Sequence, residues 1–421
     1  MVEDKKDVAV VVVTNFRSLF LVLLSCLVSS SIWCQTKKDS AKSKKTDIAV
    51  LMGLYTQDGK HSAITGGTGT EKLEVYRFNA HVKHQADSLN TYRFSAAVDY
   101  ISSASSDKID FEKSSASSKD LHNALTFGYS RNFKKKPLTI GGGLAFSLES
   151  DYFSRGAQVW ANYLFPKKTK ELSGGVQVYW DDLRWGRLKK PYITEAQHLI
   201  YPEELRDSNW FDVYERYSYN FFASYRADIN KRMRITFFPS YTYQHGLLST
   251  PFHRVYFTNS LRPVVENLPR KKHQTALGVQ LNYFLKSKTV LKGFYQFYTD
   301  NFGIQSHQWQ LEIAYKINAK ISVAPKWRIS TQTASTYFKP YASHITQQLY
   351  YTSDYDLSDF WTSNLGLAFR VNRSTHAKKR MQLPGFTLRY SYYYRSDGLQ
   401  AHILTSFWQL QAKRKTKKPL N

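Results

Sequence analysis

The chain has 421 residues and a formal net charge of +26, and 15% of its residues are aromatic. Its length admits one large barrel or about two to three soluble domains, and a soluble protein this basic would be suspected of binding nucleic acid. The sequence has no basic helix, zinc-ligand spacing or contiguous nucleic-acid recognition motif. We therefore expect no nucleic-acid partner.

Residues 1–35 have the features of a secretory signal peptide. Arg17 precedes the apolar run Leu19–Val28, and small serine residues follow that run. We expect cleavage near the end of this segment, followed by a disordered periplasmic linker at residues 36–46. The alternative is an uncleaved membrane anchor, but Arg17 interrupts the apolar residues that such an anchor needs.

The segment 47–411 alternates apolar and polar residues over many short stretches. In the clearest stretch, Trp309, Leu311 and Ile313 are separated by polar residues. This period of two predicts strands with one apolar face. The length of each strand is close to the about 9–11 residues that a tilted strand needs to cross a bilayer. The mean hydropathy of −0.47 then follows from the polar alternate positions. Trp309 and Trp327 occupy positions typical of interface aromatics.

The lengths of the connections indicate a barrel independently of the strand assignments. Counted from Ile48–Thr56, the longest connections follow odd-numbered strands, and those after even-numbered strands are short except Asn372–Pro384. Long external loops and short periplasmic turns are typical of transmembrane barrels. We predict an all-β, antiparallel up-and-down transmembrane barrel of about 16 strands, with 14 as the alternative, and a basic C-terminal tail at residues 412–421.

Two prolines lie inside predicted strands. Proline cannot donate a hydrogen bond to the strand ladder. We therefore expect Pro239 and Pro325 each to mark a bulge or a strand end.

Five phrases in this order resemble one bacterial family. They are GGTGTE at Gly66–Glu71, VDYISSASSDKID at Val98–Asp110, STPFHRVYF at Ser249–Phe257, FYTDNFGIQSH at Phe297–His307 and TSDYDLSDF at Thr352–Phe360. They are similar to the family catalogued as domain of unknown function 3570 (DUF3570), which comprises bacterial outer-membrane β-barrel proteins. The resemblance implies an outer-membrane barrel, and it transfers no catalytic residue to this chain.

Charged residues occupy polar positions of the predicted strands, which face the lumen of a barrel. Most of them are cations, and rings of Arg and Lys in a water-filled lumen favour anions. The alternative is that these cations pair with Asp99, Glu312 and loop carboxylates, and so rigidify a plugged interior. The predicted lumen-lining residues are Arg93, Asp99, Arg216, Arg232, Arg234, Lys292, Glu312, Lys316, Lys326, Arg328, Arg370, Arg389 and Arg395.

The predicted loops contain a weak calcium candidate. Asp354, Asp356 and Asp359 offer three carboxylates within a short segment, and hard oxygen ligands suit calcium. Exposed acidic residues of this kind are more often simply solvated. We therefore predict neither a bound metal nor a cofactor.

Two other loop segments contain functional residue types. Gly66 and Gly67 with Glu71 form a glycine-rich segment that lacks the lysine and helix of a phosphate loop, so we interpret it as a flexible external turn. His253 and Arg254 follow a Ser-Thr pair, but no carboxylate stands at a recognisable spacing for a hydrolase. We expect no enzymatic activity.

These observations lead to two hypotheses for a barrel in the outer membrane of a Gram-negative bacterium. The first is a channel or binding barrel for a small, anionic solute, surrounded by outer-membrane lipid and lipopolysaccharide. The alternative is a plugged structural or interaction barrel that docks an envelope protein through its loops.

Overall fold

A computed structural model describes the protein over residues 45–103, 119–134, 136–149, 152–183, 215–260, 262–372 and 381–413. The predicted signal peptide, most of the predicted linker and the last eight residues of the predicted tail lie outside the described residues. Within the described ranges, no helix is both long and apolar enough to span a membrane.

Sixteen antiparallel strands close into a barrel, and a separate two-stranded hairpin lies between two of them. Each barrel strand pairs with its sequence neighbour, except that the two strands flanking the hairpin pair with each other and the first strand pairs with the last at the closure. The strands are β1 (Lys45–Asp58), β2 (Leu73–Gln85), β3 (Asn90–Ser103), β4 (Lys119–Asn132), β5 (Leu138–Leu148), β6 (Phe153–Leu164), β7 (Lys170–Asp182), β8 (Glu215–Asn230), β9 (Met233–Gly246), β10 (Arg254–Val255), β11 (Val264–Val265), β12 (Lys271–Lys286), β13 (Thr289–Asp300), β14 (Gln305–Lys316), β15 (Ile321–Gln332), β16 (Phe360–Asn372), β17 (Met381–Arg395) and β18 (Gln400–Lys413).

The alternation predicted from the sequence separates the two faces of each strand. On β14 the exposed fractions of Trp309, Leu311 and Ile313 are 47%, 49% and 37%, whereas Glu312 between them is 8% exposed. Trp327 of β15 is likewise exposed, next to Leu311 in the strand register. An apolar outer surface and a polar interior are the distribution that a bilayer imposes on a barrel, and the protein is a transmembrane β-barrel.

The two ends of the barrel differ in the lengths of their connections, as predicted. One end, here called the loop end, has the connections at residues 59–72, 104–118, 183–214, 247–270 and 333–359. The other, here called the turn end, has short turns apart from residues 373–380. The first and last described residues, Lys45 and Lys413, are paired at the turn end. The barrel strands thus extend two residues beyond each boundary of the predicted segment 47–411.

The prediction for the two prolines is wrong. Pro239 lies inside β9 opposite Leu277, and Pro325 lies inside β15 opposite Leu367. Pairing with the other neighbour is interrupted at each proline, because the missing N–H cannot join the ladder. The register is the same on both sides of the interruption, from Phe222↔Ser240 to Tyr225↔Phe237 on β9. A local loss of pairing therefore replaces the expected bulge.

Candidate functional site

The lumen of the barrel contains a cluster of cations on neighbouring strands. Glu312 of β14 accepts a hydrogen bond of 2.8 Å from Nζ of Lys292 on β13. Its other carboxylate oxygen lies 3.9 Å from Nη2 of Arg389 on β17, which is separated from β14 by two strands. Such an approach across β15 and β16 requires that these side chains project into the lumen.

Lys326, Arg328 and Arg389 are here called the cationic cluster. Lys326 lies opposite Glu312 in the strand register, and Arg328 lies opposite Gln310. Arg328 donates from Nε and Nη2 to the side-chain oxygen of Gln310, at 3.0 and 2.9 Å. In the part of the chain that the structure describes, neither Lys326 nor Arg328 forms an ion pair. The positive charge of this wall is therefore only partly neutralised.

A different wall pairs each of its arginines with an acid. Here called the paired wall, it comprises β7, β8 and β9. Nε of Arg216 lies 2.8 Å from the carboxylate of Asp181. The paired wall also joins Arg226 to Glu171 at 2.5 Å and Arg234 to Asp228 at 2.5 Å. The sequence identified Arg216 and Arg234 but missed these partners, because it assigns no register between strands.

Asp99 and Arg93 both face the lumen, but they do not pair with each other. The buried carboxylate of Asp99 accepts two hydrogen bonds from Arg77, at 2.8 and 2.6 Å. Arg93 donates to the hydroxyl of Ser130 at 2.9 Å, and its guanidinium lies over the ring of Trp160. Arg77 is thus a lumen cation that the sequence analysis missed, although Arg77 lies directly opposite the predicted lumen residue Asp99 in the strand register.

The remaining predicted lumen residues lie near the ends of the barrel. Lys316 is the last residue of β14, and Arg370 near the end of β16 lies 3.4 Å from the hydroxyl of Thr387. Arg232 occupies the two-residue turn between β8 and β9. A register shift between Asp228 and Asn230 of β8 accompanies that turn. The Arg232 carbonyl oxygen accepts the Phe284 N–H from β12, so Arg232 continues the β9–β12 ladder at the turn end, and its predicted lumen position stays a prediction.

Arg395 connects the inner wall to the loops at the loop end. Its side chain is buried and pairs with Asp356, while its Nε lies 2.7 Å from Asp397. Its Nη2 lies 3.8 Å from Glu71. Burial raises the pKa of Glu71, against the opposing effects of the His61 N–H and of Arg395. The loops therefore fold onto this part of the barrel mouth.

Three loops pack into one unit, here called the loop assembly. It comprises loop A (residues 59–72), loop B (247–270) and loop C (333–359). Its buried core contains Val255 and Phe257 from loop B and Tyr351 from loop C. Backbone hydrogen bonds between Asn267 and Tyr351, at 3.1 and 2.8 Å, join loops B and C.

The glycine-rich segment of loop A is packed into this assembly rather than free. Gly66 and Gly67 have φ angles of 79° and 92°, which other residues rarely adopt. A Cβ at Gly66 would lie 2.6 Å from the ring of Tyr256 in loop B, and one at Gly67 would lie 2.9 Å from the Ser353 carbonyl oxygen in loop C. Glycine thus permits both the turn and the close approach, and the interpretation as a flexible turn is replaced by a packed one.

His253, Glu266 and Asp354 converge inside the loop assembly. Strands β10 and β11 pair Arg254 with Val265, so the flanking residues His253 and Glu266 stand opposite each other. Nδ1 of His253 lies 3.5 Å from Oε2 of Glu266 and 3.6 Å from Oδ2 of Asp354. In the ranges that the structure describes, this is the one group of three or more His, Cys, Asp or Glu side chains that could bind a metal ion together. Their ligand atoms all lie within 4.8 Å of one another.

The electrostatics of this group are strongly perturbed. Burial opposes a charge on His253, but Glu266 and then the two nearby aspartates raise the pKa of its imidazole to about 9. Burial raises the pKa of Asp354 to about 6, although the His253 charge opposes this increase. Burial and neighbouring charges of this strength are typical of functional sites and of structural ion-pair networks.

The predicted calcium candidate is replaced by this different grouping. Asp354 faces His253 in loop B, whereas Asp356 pairs with Arg395 and Asp359 is exposed. The backbone therefore sends three nearby aspartates in separate directions. Arg254, next to His253, is buried and donates to the carbonyl oxygen of Pro251 at 2.9 Å.

The sequence reasoning identified His253 and Asp354 separately but missed Glu266 and the contact among the three. The available signal was local. Two short runs rich in β-branched and aromatic residues, Val255–Phe257 and Val264–Val265, flank a turn-forming segment, and this pattern favours a small hairpin. The hairpin would have placed His253 beside Glu266.

A closed barrel of 16 antiparallel strands with an apolar exterior and a charged interior defines the outer-membrane class of β-barrel proteins. A family model described as "Protein of unknown function (DUF3570)" matches residues 21–404, and the chain belongs to this family. The resemblance inferred from the five phrases is thereby confirmed. Among curated proteins, none matches this chain.

Several solved outer-membrane structures are similar to this chain. One is a bacterial polysaccharide outer membrane secretin, with 10% identity, a TM-score of 0.45, and coverage of 90% of this chain and 100% of that chain. Another is the outer membrane protein OpdK from Pseudomonas aeruginosa, with 7% identity, a TM-score of 0.42, and coverage of 87% and 98%. A third is a BenF-like porin from Pseudomonas fluorescens Pf-5, with 9% identity, a TM-score of 0.41, and coverage of 87% and 98%.

Proposed function

We propose that the protein is a channel or binding barrel for a small, anionic solute in the outer membrane of a Gram-negative bacterium. The observation that carries this proposal is the cationic cluster, in which Glu312 is the one acid that lies among Lys326, Arg328 and Arg389. The proposed location also rests on the signal peptide expected at residues 1–35.

The cluster is strong enough to select anions if a solute reaches it. One unit charge at 4 Å from another contributes about 1 kcal/mol in bulk water and about 4 kcal/mol at an effective dielectric constant of 20. Several such cations acting together would favour anions over cations by more than thermal energy. Arg328 is already oriented by Gln310, so less side-chain entropy is lost when it contacts a solute.

The experiment is a single-channel recording of the mature protein refolded into planar bilayers. In a potassium chloride gradient, we expect a steady conductance and a reversal potential displaced toward that of chloride. A conducting pore with cation preference would contradict the anionic solute. Absence of current would contradict a channel and leave a binding barrel, which equilibrium binding of small anions to the folded protein would test.

A second candidate function is a plugged barrel that docks an envelope partner through its loops. The buried core of the loop assembly and its attachment to the inner wall through Arg395 favour this candidate. Replacing Arg395 with Gln should release loops A and C from the wall. If the unmodified protein carries no current and the Arg395→Gln variant does, the plugged barrel is supported and the channel is contradicted.

A further inference from the structure

We propose that His253, Glu266 and Asp354 form a binding site for a divalent first-row transition-metal ion of the zinc class, which fastens loop B to loop C. The site is separate from the cationic cluster in the lumen. It therefore adds to the proposed function and stands or falls independently of it.

The two distances from Nδ1 of His253 are longer than hydrogen bonds and close to the spacing of metal ligands. Zinc bonds of about 2.0–2.2 Å in a tetrahedron place neighbouring ligand atoms about 3.4 Å apart. Nδ1 of His253 lies 3.5 Å from the Glu266 oxygen and 3.6 Å from the Asp354 oxygen. Hydrogen bonds between nitrogen and oxygen are shorter, at about 2.7–3.2 Å. The nitrogen is thus placed as one corner of a coordination shell.

The imidazole nitrogen also lacks another partner. Nδ1 of His253 is buried and forms no hydrogen bond within the described part of the chain. Leaving a buried polar atom unsatisfied is unfavourable, and an ion that displaces the Nδ1 proton and accepts the lone pair of the neutral imidazole would remove this cost. Nδ1 thus lacks a hydrogen-bond partner at the point where it faces the two carboxylates.

The surrounding residues hold both carboxylates in position. The free oxygen of Glu266, Oε1, accepts the Thr250 N–H at 2.8 Å, and the free oxygen of Asp354, Oδ1, accepts the Asp356 N–H at 2.9 Å. The hydroxyl of Thr352 donates to Oε2 of Glu266. Partners of this kind orient the ligands of metal sites and increase their affinity. Each carboxylate therefore presents one oxygen toward His253.

The ligand set also indicates which ion would bind. One imidazole and two carboxylates suit zinc and related first-row ions, whereas calcium takes about 6–8 oxygen ligands. Three protein ligands leave a fourth tetrahedral position for water or an external ligand. Glu266 is 1% exposed, so the ion would lie largely within the loop assembly.

The test is a zinc titration of the mature, tag-free protein folded in detergent, after treatment with a chelator and its removal. A polyhistidine tag is omitted because it would bind zinc itself. We expect saturable binding of one ion per chain in isothermal titration calorimetry. Excess calcium should not displace it. Cobalt added in place of zinc should give the intense visible absorption of a tetrahedral site.

Variants assign the site to these residues. Loss of residues that merely orient metal ligands costs about 10- to 100-fold in affinity, so His253→Gln should weaken zinc binding by at least about 100-fold. Asp359→Asn removes an exposed carboxylate of loop C and His307→Gln removes a histidine on the outer barrel surface. Both controls should leave the affinity unchanged. Heat-modifiable electrophoretic mobility checks that each variant folds.

Hydrogen exchange provides a readout that needs no variant. Zinc should slow exchange of the Thr250 and Asp356 amides, because both donate to the ligand carboxylates. The proposal is overturned if the wild-type protein binds no stoichiometric zinc. It is also overturned if a folded His253→Gln protein binds zinc as tightly as the wild type, which would leave an ion-pair cluster only.

Discussion

The paired wall and the cationic cluster contain the same residue types in the same kind of lumen position, yet they differ in net charge. Arg216 on the paired wall faces the buried carboxylate of Asp181, and its neighbours Arg226 and Arg234 are likewise matched by acids. The cationic cluster shares Glu312 among several cations. The number of inward cations is therefore a poor guide to lumen charge, because strand register decides which of them are neutralised.

The largest effect should follow neutralisation of the cluster. In the triple variant Lys326→Gln, Arg328→Gln and Arg389→Gln, we expect loss of anion preference, because the remaining Glu312 and Lys292 compensate each other. The reversal potential in a salt gradient measures this change. The matched control, Arg226→Gln with Glu171→Gln, removes a complete ion pair and should leave the reversal potential nearly unchanged. Equal effects in both variants would contradict the distinction between the walls.

Removing an acid from the paired wall should make that wall resemble the cluster. Asp181 is buried and accepts from Arg216 and from the hydroxyl of Ser154. Its replacement with Asn should increase anion preference and lower the free energy of unfolding by about 1–3 kcal/mol, since a buried hydrogen-bonded charge pair is broken. Urea unfolding in lipid vesicles measures the stability. An Asp181→Asn barrel with unchanged selectivity would show that Arg216 does not contact the solute path.

A smaller effect should follow Glu312→Gln. Glu312 is the acid that the cationic cluster faces, and Lys292 is its direct partner at 2.8 Å. The change adds one positive charge to the cluster without changing side-chain volume. We expect a further shift of the reversal potential toward that of chloride. A shift in the opposite direction would contradict the assignment of these residues to one electrostatic unit.

The smallest effect should follow Arg232→Gln. The alternation of the sequence predicted an inward Arg232, but the residue lies in the turn between β8 and β9. We expect less than about 0.5 kcal/mol change in stability, as for most surface substitutions, and an unchanged reversal potential. A change as large as that of Arg389→Gln would place Arg232 at the solute path after all.

The sequence was sufficient for the barrel because strand alternation and loop length are local properties. The alternation of apolar and polar residues around Trp309–Ile313 correctly predicted which strand face is apolar. The lengths of the connections identified the loop end and the turn end. The errors arose where local rules meet tertiary context. Pro239 is accommodated inside a strand because the next strand supplies an uninterrupted ladder.

The sites were less predictable because they depend on which distant segments meet. Glu266 and Thr352 are 86 residues apart in the chain, yet their side chains share a hydrogen bond in the loop assembly. Spacing within one loop made Asp354, Asp356 and Asp359 only a weak calcium candidate, whereas the folded loops direct Asp354 to His253 and Asp356 to Arg395. No local pattern encodes that choice.

The most direct test of the account is the position of a bound anion in the folded lumen. Crystals of the protein soaked in bromide should give an anomalous peak beside Lys326, Arg328 and Arg389, and no peak of comparable height beside Arg216, Arg226 and Arg234. This result would mean that the unneutralised cations form the anion site. Bromide at the paired wall and none at the cluster would contradict it.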